Sequence, residues 1–121
     1  MKQSLTVQLP EKVSTNVFYN KHYHDRSRVQ HDFHAFVKSA VREFKTKVVE
    51  EYPVKLSFRF LLQGRLLDVS NLSAMAKILE DGLVRCKILK DDSPKYINAI
   101  YKEVEKNTID CNVAEITIET N

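Results

Sequence analysis

The chain has 121 residues, 43% of them hydrophobic and 29% charged, with a formal net charge of +3. This length fits one domain over residues 1–121. Burial of roughly two-thirds of the unfolded surface leaves no need for a disulfide or structural metal. No apolar run approaches the ~20 residues needed to cross a bilayer, and the opening MKQSLTVQLP is too short and too polar for a signal peptide. The expectation is a cytoplasmic protein with no membrane partner and no small-molecule cofactor.

Ser4–Pro10 (SLTVQLP) alternates apolar and polar side chains and predicts a half-buried strand. Residues 11–27 are rich in turn formers and aromatics, and read as an irregular loop with a short extended piece at Val17–Tyr19. From Ser27 to Glu51, Val29, Phe33, Val37, Ala40, Val41, Phe44 and Val48 recur at steps of three and four, the signature of a helix with one apolar stripe. Ser27 and Asp25 compete as its cap, and Pro53 stands where it cannot easily continue. Val54–Gln63 puts Val54, Leu56, Phe58 and Phe60 on one face and Lys55, Ser57 and Arg59 on the other, as a strand does. Gly64 marks a turn.

A second helix is expected over Asn71–Cys86, with Leu72, Met75, Ala76, Leu79 and Leu83 as its stripe. Gly82 inside it costs ~1 kcal/mol relative to alanine, a cost compatible with close packing. Asp91–Pro94 is a turn by composition. Tyr96–Val104 and Asn112–Thr120 read as two strands with KNTID as their hairpin connection. The order β-α-β-α-β-β argues for an α+β domain: a mixed four-stranded sheet packed against two helices.

Charge is unevenly spread. Lys21, Arg26, Arg28, Lys38, Arg42, Lys45 and Lys47 face only Asp25, Asp32 and Glu43, whereas Glu103, Glu105, Asp110, Glu115 and Glu119 make the other end acidic. A basic segment attracts phosphates, although a solvated helix face also explains it. Cys86 and Cys111 lie far apart and outside any CxxC pair, as reduced, half-buried thiols would. His22, His24, His31 and His34 offer an HxH and an HxxH, but no Cys or carboxylate partners stand at spacings that would complete a zinc site.

The second helix has carboxylates at both ends. Asp68 precedes it, Ser70 and Asn71 open it, Lys77 and Asp81 form an i,i+4 pair, and Asp91 and Asp92 follow it. Positions 70, 74, 77 and 81 share a side, so Asp68, Ser70, Lys77 and Asp81 are expected along one groove. Sixteen helical residues span about 24 Å, so Lys87–Lys90 must fold back if Asp92 is to approach Asp68. Each residue also has a purely structural explanation: caps for Asp68 and Ser70, a surface ion pair for Lys77 and Asp81, a turn for Asp91 and Asp92.

In order along the chain, Asp68, Asn71, Leu72, Lys77, Asp81, Leu83, Asp91 and Asp92 resemble the D-x-D-N-L, lysine, D-x-L and D-D pattern of the RusA-type Holliday junction resolvases. Leu9-Pro10 followed by Ser14, Asn16 and Tyr19 is similar to the family's proline-ended first strand and S-x-N-x-x-Y, and His22-Tyr23 with Arg26 is similar to its phage members. The resemblance runs from Leu5 to about Tyr96. It implies a homodimeric, magnesium-dependent nuclease, with manganese able to substitute, that binds four-way DNA junctions and nicks two opposing strands. By position it assigns catalysis to Asp68, Lys77 and Asp92. Metal binding falls to Asp68 and Asp92, with Asp91 and Ser70 beside them, and DNA contacts fall to Asn71, Asn16, Tyr19, Lys21, Arg26 and Arg28. The second acid of D-x-D is Ser70 here. Three outcomes are open: Asp81 or Asp91 substitutes, the site works with weaker metal affinity, or the protein binds junctions without cutting them. A regulatory domain that binds another protein is a further reading.

Overall fold

The computed structural model describes residues 1–120. Its elements are β1 (Lys2–Gln8), α1 (Thr15–Tyr19), α2 (Tyr23–Glu43), β2 (Val54–Leu62), a 3-10 turn (Val69–Leu72), α3 (Ser73–Arg85), β3 (Ile97–Lys106) and β4 (Val113–Thr120). The strands form one mixed sheet in the order β1-β4-β2-β3. β4 runs antiparallel to both of its neighbours, and β2 runs parallel to β3. No helix among the described residues is long and apolar enough to cross a membrane.

The strict alternation of β2 is realised along its whole length: Val54, Leu56, Phe58, Phe60 and Leu62 are buried under the helices, and the residues between them face the open side of the sheet. On that open side Arg59 takes Glu105 in a two-point bond, with Nη2 2.6 Å from the carboxylate, and reaches Glu115 at 2.8 Å. Part of the acidic lean of the C-terminal third is thereby paired within the sheet.

The expected hairpin between the last two strands does not form. β3 and β4 are not neighbours, because β4 inserts between β1 and β2. Burial explains the order. Ala114, Ile116 and Ile118 of β4 are fully buried and need a strand on either side, whereas β3 carries Glu103 and Glu105, which suit an edge. The connection is held by Asn107, which donates to the carbonyl of Cys111, and by Asn112, whose side-chain oxygen accepts from the Gln63 amide at 2.8 Å.

Two boundaries of the first long helix also differ from the periodic pattern. α2 begins at Tyr23 rather than Ser27, and its cap is His22, whose Nδ1 accepts from the His24 amide; neither Ser27 nor Asp25 serves. It stops at Glu43 because Lys45 adopts a left-handed backbone, φ 51°. Beyond that point Gln3 of β1 bonds both backbone groups of Lys47, which turns Val49 inward and leaves Val48 and Phe44 exposed. Val29, Phe33, Val37 and Ala40 alone supply the fully buried stripe.

The expected extended piece at Val17–Tyr19 is instead α1. Ser14 caps it by accepting from the Val17 amide, and Phe18 anchors it in the core. The neighbouring Thr15 hydroxyl accepts from the Ala74 amide at 3.1 Å. That bond satisfies a free N–H in the first turn of α3, and it fixes α1 against the helix that carries Lys77.

Candidate active site around Lys77

α3 closes with a Schellman motif: Lys87 is left-handed (φ 63°), its amide donates to Val84, and the Ile88 amide donates back to Leu83. Ile88 and Leu89 are buried immediately afterwards, and the Lys90 amide bonds the Tyr52 hydroxyl at 3.0 Å. The chain therefore doubles back along α3 and delivers Asp92 to Lys77. The Asp92 carboxylate accepts from the Lys77 ammonium, and Asp81 lies 3.4 Å from the same nitrogen. Asp91 turns the other way and accepts from the Asp92 amide, which orients the turn.

Partial burial would lower the pKa of Lys77. The hydrogen bond to Asp92 and the charges of Glu80, Asp81 and Asp92 outweigh it and push the ammonium up to about 12. Asp92 is correspondingly held below the usual carboxylate range by Lys77. Glu80 is the member that sequence reasoning missed. It is 4% exposed on the inner flank of α3, and burial pushes its carboxyl up, against the pull of Lys77 and with the push of Asp92 and Asp81. The signal was present: position 80 is four residues after Ala76 and three before Leu83, so an acid stands inside the apolar stripe.

Lys77 and Asp81 also line a cleft of about 220 Å³ with Tyr19, Tyr23 and Arg26. The two tyrosines are 56% and 66% exposed, and the Arg26 Nε is buried without a hydrogen-bond partner. Three separated stretches of sequence thus meet at one opening: α1, the start of α2, and the middle of α3.

Other predicted site residues lie elsewhere. Asp68 precedes the 3-10 turn, its carbonyl accepting from the Asn71 amide at 2.8 Å, and it lines a separate crevice with Lys12, Ser14, Arg65 and Asn71. Lys12 holds the approach to that crevice by donating to the carbonyls of Gln63 and Arg65. The single groove expected for Asp68, Ser70, Lys77 and Asp81 is therefore divided, because the 3-10 turn breaks the helical phase before α3 begins. Ser70 is exposed and caps nothing; its carbonyl accepts from Ser73, whose hydroxyl also accepts from Lys102 at 2.9 Å. Arg28 is paired with Asp32 at 3.4 Å and lies 3.9 Å from Glu11, while Asn16 is exposed on α1 and Lys21 is half-buried after it.

No family model matches the chain, and no curated protein is similar to it.

The donors suit a hard cation by type, since they are carboxylates. Among the described residues, however, no three of the His, Cys, Asp and Glu side chains are gathered tightly enough to hold a metal ion. Magnesium needs only one or two carboxylates when waters and phosphate oxygens complete its coordination; Asp92 and Asp81 are two such groups, and both lie against the Lys77 ammonium.

Proposed function

We propose that the protein is a magnesium-dependent, structure-specific endonuclease that acts as a dimer on four-way DNA junctions and nicks opposing strands. The observation that carries this reading is the convergence of Lys77, Asp81 and Asp92 beside a cleft walled by exposed tyrosines and Arg26. These residues also follow the RusA-type order in the sequence.

Asp92 is the first candidate to hold the metal, with Asp81 next to it, and the resemblance adds Asp68 from the neighbouring crevice. The metal, when bound, polarises the scissile phosphate and lowers the pKa of a water ligand. Lys77 remains charged at any physiological pH and offsets negative charge that builds on the phosphate in the transition state. Its bond to Asp92 holds the ammonium in place before substrate arrives, which reduces reorganisation during the reaction. Tyr19 and Tyr23 offer faces to unstacked bases at the crossover, and Arg26 offers donors to a phosphate. Two copies related by a two-fold axis account for paired nicks.

A second reading, junction binding with weak or no cleavage, is favoured by Ser70, which puts no carboxylate where the family pattern has one. Incubation of the protein with a labelled four-way junction and magnesium separates the two. Symmetric nicks that vanish with a chelator support the nuclease, whereas binding without nicks, in manganese as well, supports the second reading.

A further inference from the structure

α2 and α3 run side by side in the same direction. Arg26 and Gln30 face Lys77 and Ile78, the His34 Nε2–H donates to the Ile78 carbonyl at 3.2 Å, and Lys38 and Arg42 face Arg85 and Cys86. Gly82 lets the helices approach: a Cβ there would stand 3.0 Å from Val37 Cγ2 and 3.2 Å from His34 Cδ2. Two openings lie in succession along their seam. The first is the cleft at Lys77, and the second is a hollow of about 500 Å³ lined by His31, His34, Lys38, Arg42 and Arg85 together with Ala35, Val41, Gly82 and Cys86, with no acid in the lining. Among the described residues, Lys38, Arg42 and Arg85 form no ion pair. Three cations and two imidazoles gathered around one hollow without an acid point to an anionic occupant.

We propose that the α2/α3 groove is the track along which one DNA strand reaches Lys77, its phosphates passing Arg42, Arg85 and Lys38 and ending at Arg26 and Lys77. The distance from Arg26 to Arg42 is about 24 Å at 1.5 Å per residue, long enough to run beside several successive phosphates of one strand. Lys38 and Arg42 stand one helical turn apart on the face that Arg85 opposes, so a backbone laid in the groove is gripped from both walls. The buried, unpartnered Nε of Arg26 marks the end of the track nearest Lys77. This assignment rests on the nucleic-acid part of the proposed function and does not depend on cleavage.

The experiment compares three proteins by fluorescence anisotropy on a labelled four-way junction over a salt series: wild type, the groove triple K38Q/R42Q/R85Q, and a control triple K2Q/K55Q/K106Q that removes the same charge from the strands. A phosphate contact contributes about 0.9 to the slope of log Kobs against log salt, so the groove variant should lose nearly three from that slope. Its affinity near physiological salt should fall at least about tenfold, with the control close to wild type and all three melting alike. An unchanged slope in the groove variant overturns the track, and so does an equal loss in the control, which would make the effect one of net charge. Wild type that ignores DNA but binds polyglutamate through the same three residues overturns it in favour of an acidic protein partner, and removes the nuclease reading with it. Wild type that binds through the groove but never nicks supports the track while defeating the nuclease.

Discussion

Asp92→Asn separates the chemical role of the Lys77–Asp92 pair from its structural role. The pair is largely solvent-exposed, with the two side chains 47% and 37% accessible. An exposed ion pair contributes ~0.2–1 kcal/mol, and asparagine still offers an oxygen to the ammonium. Unfolding entropy near ~2.1 cal/mol/K per residue amounts to roughly 250 cal/mol/K for a chain of this length, so ~1 kcal/mol corresponds to about 4 °C in Tm. The substitution should therefore lower Tm by no more than about 4 °C at pH 7. The acid dependence follows from the direction of the shift. Asp92 is depressed in the folded state, so its contribution is present above the unfolded carboxylate pKa and disappears as pH falls through the folded one; the variant should lack that part of the acid loss. Lys77 stays protonated without its partner, because an ordinary lysine titrates near 10.4. Any loss of nicking then belongs to the missing carboxylate, and we expect at least ~100-fold, as for removal of one preorganised charged group. A gel assay of junction nicking at saturating magnesium, beside a thermal melt, checks both halves. Nicking within a factor of about three of wild type, under ~0.7 kcal/mol of transition-state free energy, would falsify the placement of Asp92 at the reaction centre.

Glu80→Gln should raise stability at pH 7 by about 1 kcal/mol, because it removes a charge that burial penalises at a residue only 4% exposed. The Glu80 carboxyl is raised in the folded state, so its contribution is full below the unfolded pKa and is lost as pH climbs through the folded one. Glutamine should flatten that segment of a Tm-against-pH curve, and a variant less stable than wild type at neutral pH counts against the assignment. Gly82→Ala gains ~1 kcal/mol of helix propensity but presses its methyl on the fully buried Val37, an overpacking of ~1–3 kcal/mol. The melt should shift downward, and an upward shift would mean the helices have room to part. Ser70→Asp sits on an exposed turn outside the Lys77 cleft, so it should change little in Tm or in the magnesium concentration for half-maximal nicking, and a lowered magnesium requirement would bring that turn into the metal site.

Much of this architecture could be read from side-chain spacing, and the failures share one cause. β2 and the inner face of α3 were legible because alternation and helical periodicity act within a few residues. The ends of α2 were not, since Val48 keeps the period while Gln3, over forty residues away, decides which of Val48 and Val49 turns inward. The same holds for strand order: KNTID has hairpin composition, but the burial demanded by Ala114, Ile116 and Ile118 places β4 between partners remote in sequence. At the site, Lys77, Asp81 and Asp92 could be picked out, but the fold-back was expected to carry Asp92 to Asp68 and instead carries it to Lys77, through a left-handed lysine where glycine is usual. Glu80 was overlooked because acids were sought on the polar side of the helix. The 3-10 turn that sets Asp68 apart leaves no mark in the hydrophobic pattern.

The position of β4 bears on how the molecule comes into being. β1 leaves the ribosome before the other three strands of the sheet, yet its hydrogen-bonding neighbour is the last of the four to be made, with Lys2 opposite Glu119. During translation β1 must wait, its edge uncovered, until nearly the whole domain has emerged. Closing a loop of that length before any reward arrives makes for slow maturation and a long period of vulnerability to aggregation.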